Sequence, residues 1–167
     1  MKKSFALLLM ASALIFGTAA TPLSAATETV PAKSIVGVWA HEMAADPYEL
    51  DLLIFDDGNY AIFSSYANTE YSEVGKWRLD GNRLTLTKYY GDGDYTMNED
   101  GSYTRLKSAK KDGYECSYEV DGQTMTSGGD VFLKTTFAEE VASDIEMPWW
   151  SKESFEASQK CVSAIMK

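Results

Sequence analysis

The side chains able to do chemistry are few, and their spacing suits little of it. His41 is the only histidine. One imidazole with no cysteine beside it offers too few ligands for zinc. It follows Trp39 by two positions, so on a strand the two share a face. No serine stands in a nucleophile-elbow setting. Ser108-Ala-Lys-Lys111 spells a Ser-x-x-Lys string, but on a lysine-rich strand end with no supporting partners. The carboxylate pairs Asp56-Asp57 and Glu139-Glu140 are adjacent in sequence. On a strand they point to opposite faces, which is wrong for a shared acid–base task. A calcium loop aligned on Gly101 gains Asn98 and Asp100 but has Thr96 first and Lys107 last, where Asp and Glu are required. No glycine-rich phosphate loop is present. The expectation is a binding protein rather than an enzyme, with no metal and no cofactor.

The remaining reactive groups are two thiols, Cys116 and Cys161, and their chemistry depends on compartment. Residues 1–26 read as a secretory signal peptide: Lys2 and Lys3, an apolar run from Phe5 to Phe16, then "TPLSAA" with Ser24 and Ala26 where a signal peptidase reads. Cleavage is expected after Ala26, with Ala20 the rival. No cysteine follows the cut, so neither a lipid anchor nor a membrane anchor is expected. The location is periplasmic or secreted. In an oxidising compartment two cysteines read as one disulfide, Cys116–Cys161. The net charge is −10, and two units more negative once Lys2 and Lys3 are removed. That balance argues against nucleic acid and leaves a basic protein partner open.

Six Asp-Gly pairs set out the elements that must position these groups. They begin at Asp57, Asp80, Asp92, Asp100, Asp112 and Asp121, at intervals of 23, 12, 8, 12 and 9 residues. Asp-Gly suits a two-residue type I′ turn. The flanks alternate: Leu50, Leu52 and Ile54 against Glu49 and Asp51, and Leu84 and Leu86 against Arg83, Thr85 and Thr87. Period two means strands with one wet and one dry face. The first interval holds two strands, turning near "YANTE" at 66–70. An antiparallel meander of about eight to ten strands has exposed edges unless it closes, so an all-β up-and-down barrel is predicted over 35–137. Residues 27–34 are expected to form a polar, flexible N-terminal segment. From 138 the pattern turns helical: "AEEVASDIE", then "MPWW", then Ser151 as N-cap of a helix whose Phe155, Ser158, Val162, Ile165 and Met166 share the face laid on the barrel.

Two Gly-x-Trp triplets, "GVW" at 37–39 and "GKW" at 75–77, open strand-like runs. Glycine there permits close backbone approach where a strand bends. With "LLIFDDGNYAIF" and "GNRLTLT", they make residues 35–88 resemble the bacterial lipocalin-like domains of the calycin group. That resemblance implies an up-and-down barrel with an apolar interior, often a small-molecule cavity, and Trp39 at the closed end. The arginine that full lipocalins carry near the last strand, stacked on the first tryptophan, has no counterpart. Arg78, Arg83 and Arg105 all precede Cys116.

Ten tyrosines and seven phenylalanines supply material for a pocket. The candidate ligand-binding residues are Trp39, Tyr60, Ile62, Phe63, Trp77, Leu84 and Leu86. Two functions compete: an exported binder of a small apolar or aromatic ligand in the lumen, and a protein-binding module of the inhibitor or immunity type acting through an acidic and aromatic surface near "MPWW". A third, an outer-membrane barrel, is disfavoured by "KDGYECSYEV" and the helical, lysine-ended tail.

Overall fold

A computed structural model describes residues 29–42, 50–64, 70–137 and 150–167. In chain order the elements are α1 (Ala32–Ile35), β1 (Gly37–His41), β2 (Leu50–Ile54), β3 (Asn59–Ser64), β4 (Glu70–Asp80), β5 (Arg83–Gly91), β6 (Tyr95–Met97), β7 (Tyr103–Arg105), β8 (Glu115–Asp121), β9 (Thr124–Ser127), β10 (Asp130–Lys134) and α2 (Lys152–Met166). Eight strands close an antiparallel barrel in the order β1-β10-β9-β8-β5-β4-β3-β2. The other two, β6 and β7, form a separate hairpin between β5 and β8. The all-β barrel with a C-terminal helix is the fold predicted from the alternation. The signal peptide, the "YANTE" turn, the "AEEVASDIE" helix and Met147–Trp149 lie outside the described residues.

Alternation gives the wall two apolar faces. Inward, Trp39, Leu52, Ile54, Tyr60, Leu84, Leu86, Val120, Met125 and Phe132 pack into a lumen core. Outward, Val38, Leu53, Phe55, Ala61, Tyr71 and Val74 meet Phe155, Val162 and Ile165 of α2, together with Trp150 and Tyr95. Leu52, Leu53, Ile54 and Phe55 are therefore all fully buried. A strand covered on both sides reads as a continuous apolar run, which is why "LLIF" does not alternate. Burying a side chain such as Phe155 contributes about 1.5–3 kcal/mol.

The Asp-Gly turns are built differently from the two-residue Asp-Gly prediction. Asp80 pairs with Arg83 as the last rung of the ladder, so the turn residues are Gly81 and Asn82, with Gly81 at φ +64°. At Asp57 the loop has three residues. Phe55 N donates to Asn59 O at 3.0 Å, and Gly58 N donates to Phe55 O at 3.3 Å. The Asp57 carboxylate accepts from Asn59 N at 3.0 Å, and that side-chain bond lengthens the turn by a residue.

Helix α2 starts at the predicted cap: Ser151 Oγ accepts from Ser154 N at 3.0 Å. It is pinned across the β2–β3 turn, where Gln159 Nε2 donates to Asp56 Oδ1 at 2.6 Å and Ser163 Oγ donates to Asp57 Oδ2 at 2.6 Å. Asp56 and Asp57 thus both face the helix. They sit in a turn, so strand alternation does not separate them. Glu139 and Glu140 lie outside the described residues.

Candidate functional site

The lumen divides into a filled end and a polar mouth. At the filled end the Trp39 indole N–H donates to Ile35 O at 2.8 Å. Lys134 on the last strand lies 5.7 Å from the Trp39 ring centroid and donates to Ser34 O. Burial pushes the Lys134 ammonium below the ordinary lysine range. Trp39, Leu52, Ile54, Tyr60, Leu84, Leu86 and Met125 have no exposed surface at all. They touch no space that a water molecule enters.

The predicted ligand residues therefore separate. Trp39, Tyr60, Leu84 and Leu86 come together, as packed core. Ile62 and Trp77 pack against that core half-buried, and the Trp77 indole N–H donates to Phe55 O at 2.7 Å. Phe63 is a correction. It stands on the outer face, with its ring 5.8 Å from Tyr71 and 5.1 Å from Trp150. Tyr60 faces in, so period two sends Phe63 out.

Toward the other end the inward positions turn polar. The Tyr60 hydroxyl donates to Glu73 Oε1 at 2.5 Å, and Lys88 Nζ lies 3.7 Å from Glu73 Oε2. His41 Nε2 lies 3.5 Å from Asp130 Oδ1, and the His41 ring packs edge-on to Phe132 at 4.8 Å. Cys116 lies beside Tyr118, and Tyr118 packs edge-on to Phe132 at 5.8 Å. Burial, chiefly, raises the Tyr60 and Tyr118 hydroxyls and the Cys116 thiol above their ordinary ranges; the Glu73 carboxylate adds to all three. Glu73 and Lys88 keep 19% and 29% of their side-chain surface exposed, so solvent reaches them. His41 Nδ1 is buried with no hydrogen-bond partner among the described residues.

Each mouth residue extends an inward apolar series by one step of two: His41 after Trp39, Glu73 before Gly75 and Trp77, Lys88 after Leu84 and Leu86, Asp130 before Phe132. That signal was present in the sequence for Glu73, Lys88 and Asp130, none of which stood out as candidates.

The disulfide is also corrected. Both thiols are free. Cys116 packs against the lumen core, while Cys161 packs with the outer cluster beneath α2. The barrel wall lies between them, and a disulfide needs Cα atoms within about 7 Å. Trp150, part of "MPWW", is buried, and its indole N–H donates to Asp51 Oδ2 at 2.7 Å.

Among the described residues no group of three or more metal-ligating side chains gathers, and no helix is long and apolar enough to cross a membrane. Fold and site together define a closed antiparallel barrel with a filled floor and a polar, aromatic mouth. Comparison with family models, curated proteins and solved structures returned no match.

Proposed function

We propose that this chain is a binding barrel for a small amphipathic molecule, held at the mouth rather than along the full lumen. The observation that carries the reading is the set of polar side chains from β1, β3, β4, β5, β8 and β10 turned inward above an apolar floor. Filling a barrel for stability alone calls for apolar side chains, because a buried polar group costs free energy unless it is satisfied. Here Tyr60, Glu73 and Lys88 form a chain of contacts, and His41 Nδ1 has no partner among the described residues. Tyr118, Phe132 and Ile62 supply the apolar contact that a small ligand needs. The pattern of residues 1–26 supports export, so the ligand is met in the periplasm or outside the cell.

Native mass spectrometry of the purified chain, before and after organic extraction, tests this. The expected result is an added small-molecule mass that extraction removes, and slower maleimide labelling of Cys116 in the unextracted protein. An apo mass before extraction, with a basic exported protein recovered in pull-down, would reject it in favour of the protein-binding reading.

A further inference from the structure

Resting on that reading of the mouth, we infer that its ligand carries a primary ammonium group beside an aromatic or short aliphatic body. The argument starts from His41. The carboxylate at its Nε2 side, Asp130, is 3.5 Å away and can only accept, so in the neutral ring the proton sits on Nε2. Nδ1 is left as an acceptor, buried and without a hydrogen-bond partner among the described residues. The group that completes this neutral ring is a hydrogen-bond donor.

Charge narrows the donor. Among the described residues, two carboxylates, Glu73 and Asp130, bear on the mouth against the ammonium of Lys88. That ammonium is already committed, 3.7 Å from Glu73 Oε2 and lying over the Gly91 backbone, within 3.2 Å of where a Cβ would stand. Asp130 has 65% of its side-chain surface exposed, so a cation arriving from solvent reaches its carboxylate. The acidic groups around the mouth agree: Cys116 and Tyr118 are both pushed upward in part by Glu73 and Asp130. A negative mouth disfavours an anion. The rings of His41, Phe132 and Tyr118 pack edge-on to one another and make the base of the mouth aromatic, which suits an apolar ligand body and, through cation–π attraction, its charge.

The test is calorimetric titration of the extracted full chain with phenethylamine, phenethyl alcohol and hydrocinnamate, which differ in charge and share a phenyl body. The amine should bind about tenfold more tightly than the alcohol, and the carboxylate weakest. Glu73→Gln keeps an acceptor for Tyr60, and it should weaken the amine about fivefold while leaving the alcohol within about twofold. Asp130→Asn, at an exposed position, should do the same and carries the test if the first variant does not fold. Equal affinity for amine and alcohol, tighter binding of the carboxylate, or amine binding indifferent to both variants would overturn the inference. Silence from all three probes also rejects the amine, and the mouth as a ligand site is then judged by the extraction experiment alone.

Discussion

Cys116 shows what one side chain's position does to its chemistry. It sits half-buried in the lumen, and burial, with Glu73 and Asp130 adding, raises its thiol above the ordinary range. Burial likewise raises Cys161 on the outer side of the wall. The thiolate is the reactive form. In the native protein, iodoacetamide labelling of both sulfurs should therefore keep accelerating with pH beyond the ordinary thiol midpoint of about 8.5. In guanidinium without reductant, mass spectrometry should record two added alkyl groups; an unchanged mass would restore the disulfide. Counting two cysteines in an exported chain yields a pairing, but only strand register decides which face of a wall each sulfur occupies. The same limit governs Phe63, whose neighbour Ile62 was a candidate too, although adjacent strand residues cannot both face the lumen. The polar mouth was legible as an extension of period two from Trp39, Trp77 and Leu86, had the alternation been carried past the apolar residues.

Among the elements, β4 and β5 depend on a single missing side chain. The register slips between Val74 and Gly75, and a Cβ added to Gly75 would stand 2.1 Å from Thr87 O and 2.7 Å from Tyr60 Cε1. Backbone cannot yield as a flexible side chain does, so Gly75→Ala must shift β5 or the Tyr60 ring that reaches Glu73. We expect it to cost about 2–4 kcal/mol in denaturant unfolding. At Gly81, φ is +64° and an added methyl meets open space, so Gly81→Ala should cost only about 1 kcal/mol. Equal costs would remove the close approach as the cause. This glycine, the strands and the cap at Ser151 were legible because each is a local pattern: a Gly-x-Trp bend, a period of two, a serine before an amphipathic run. The β6–β7 hairpin was not legible as a separate sheet. Its Asp100-Gly101 turn resembles the others, and what draws it out of the barrel is tertiary: Arg105 Nη1 donates to Ile165 O at 2.9 Å, and the Tyr95 hydroxyl donates to Tyr71 O.

The whole molecule is held by two cores on either side of one wall, and a tyrosine hydroxyl is buried in each. Tyr60 and Tyr118 belong to the lumen, and Tyr71 belongs to the cluster under α2. All three are pushed above the ordinary tyrosine range, first by burial; Glu73 adds to it at Tyr60 and Tyr118, while at Tyr71 a hydrogen bond with Ser158 works against it. In the unfolded chain they titrate near pH 10. Below that pH both states hold the proton, and the raised values leave stability unaffected. Above it the unfolded chain releases protons that the folded chain keeps, so stability falls as pH rises. Each such tyrosine removes about 1.4 kcal/mol per pH unit, and three together about 4 kcal/mol. Against a net stability of about 5–15 kcal/mol, the barrel should unfold cooperatively between about pH 11 and pH 13. Absorbance at the tyrosinate band should lag for these three hydroxyls and then rise together with loss of the β-sheet circular dichroism signal. A smooth rise of the full tyrosinate signal while that spectrum stays native would show the hydroxyls to be in contact with solvent, and the two-core packing would then be wrong.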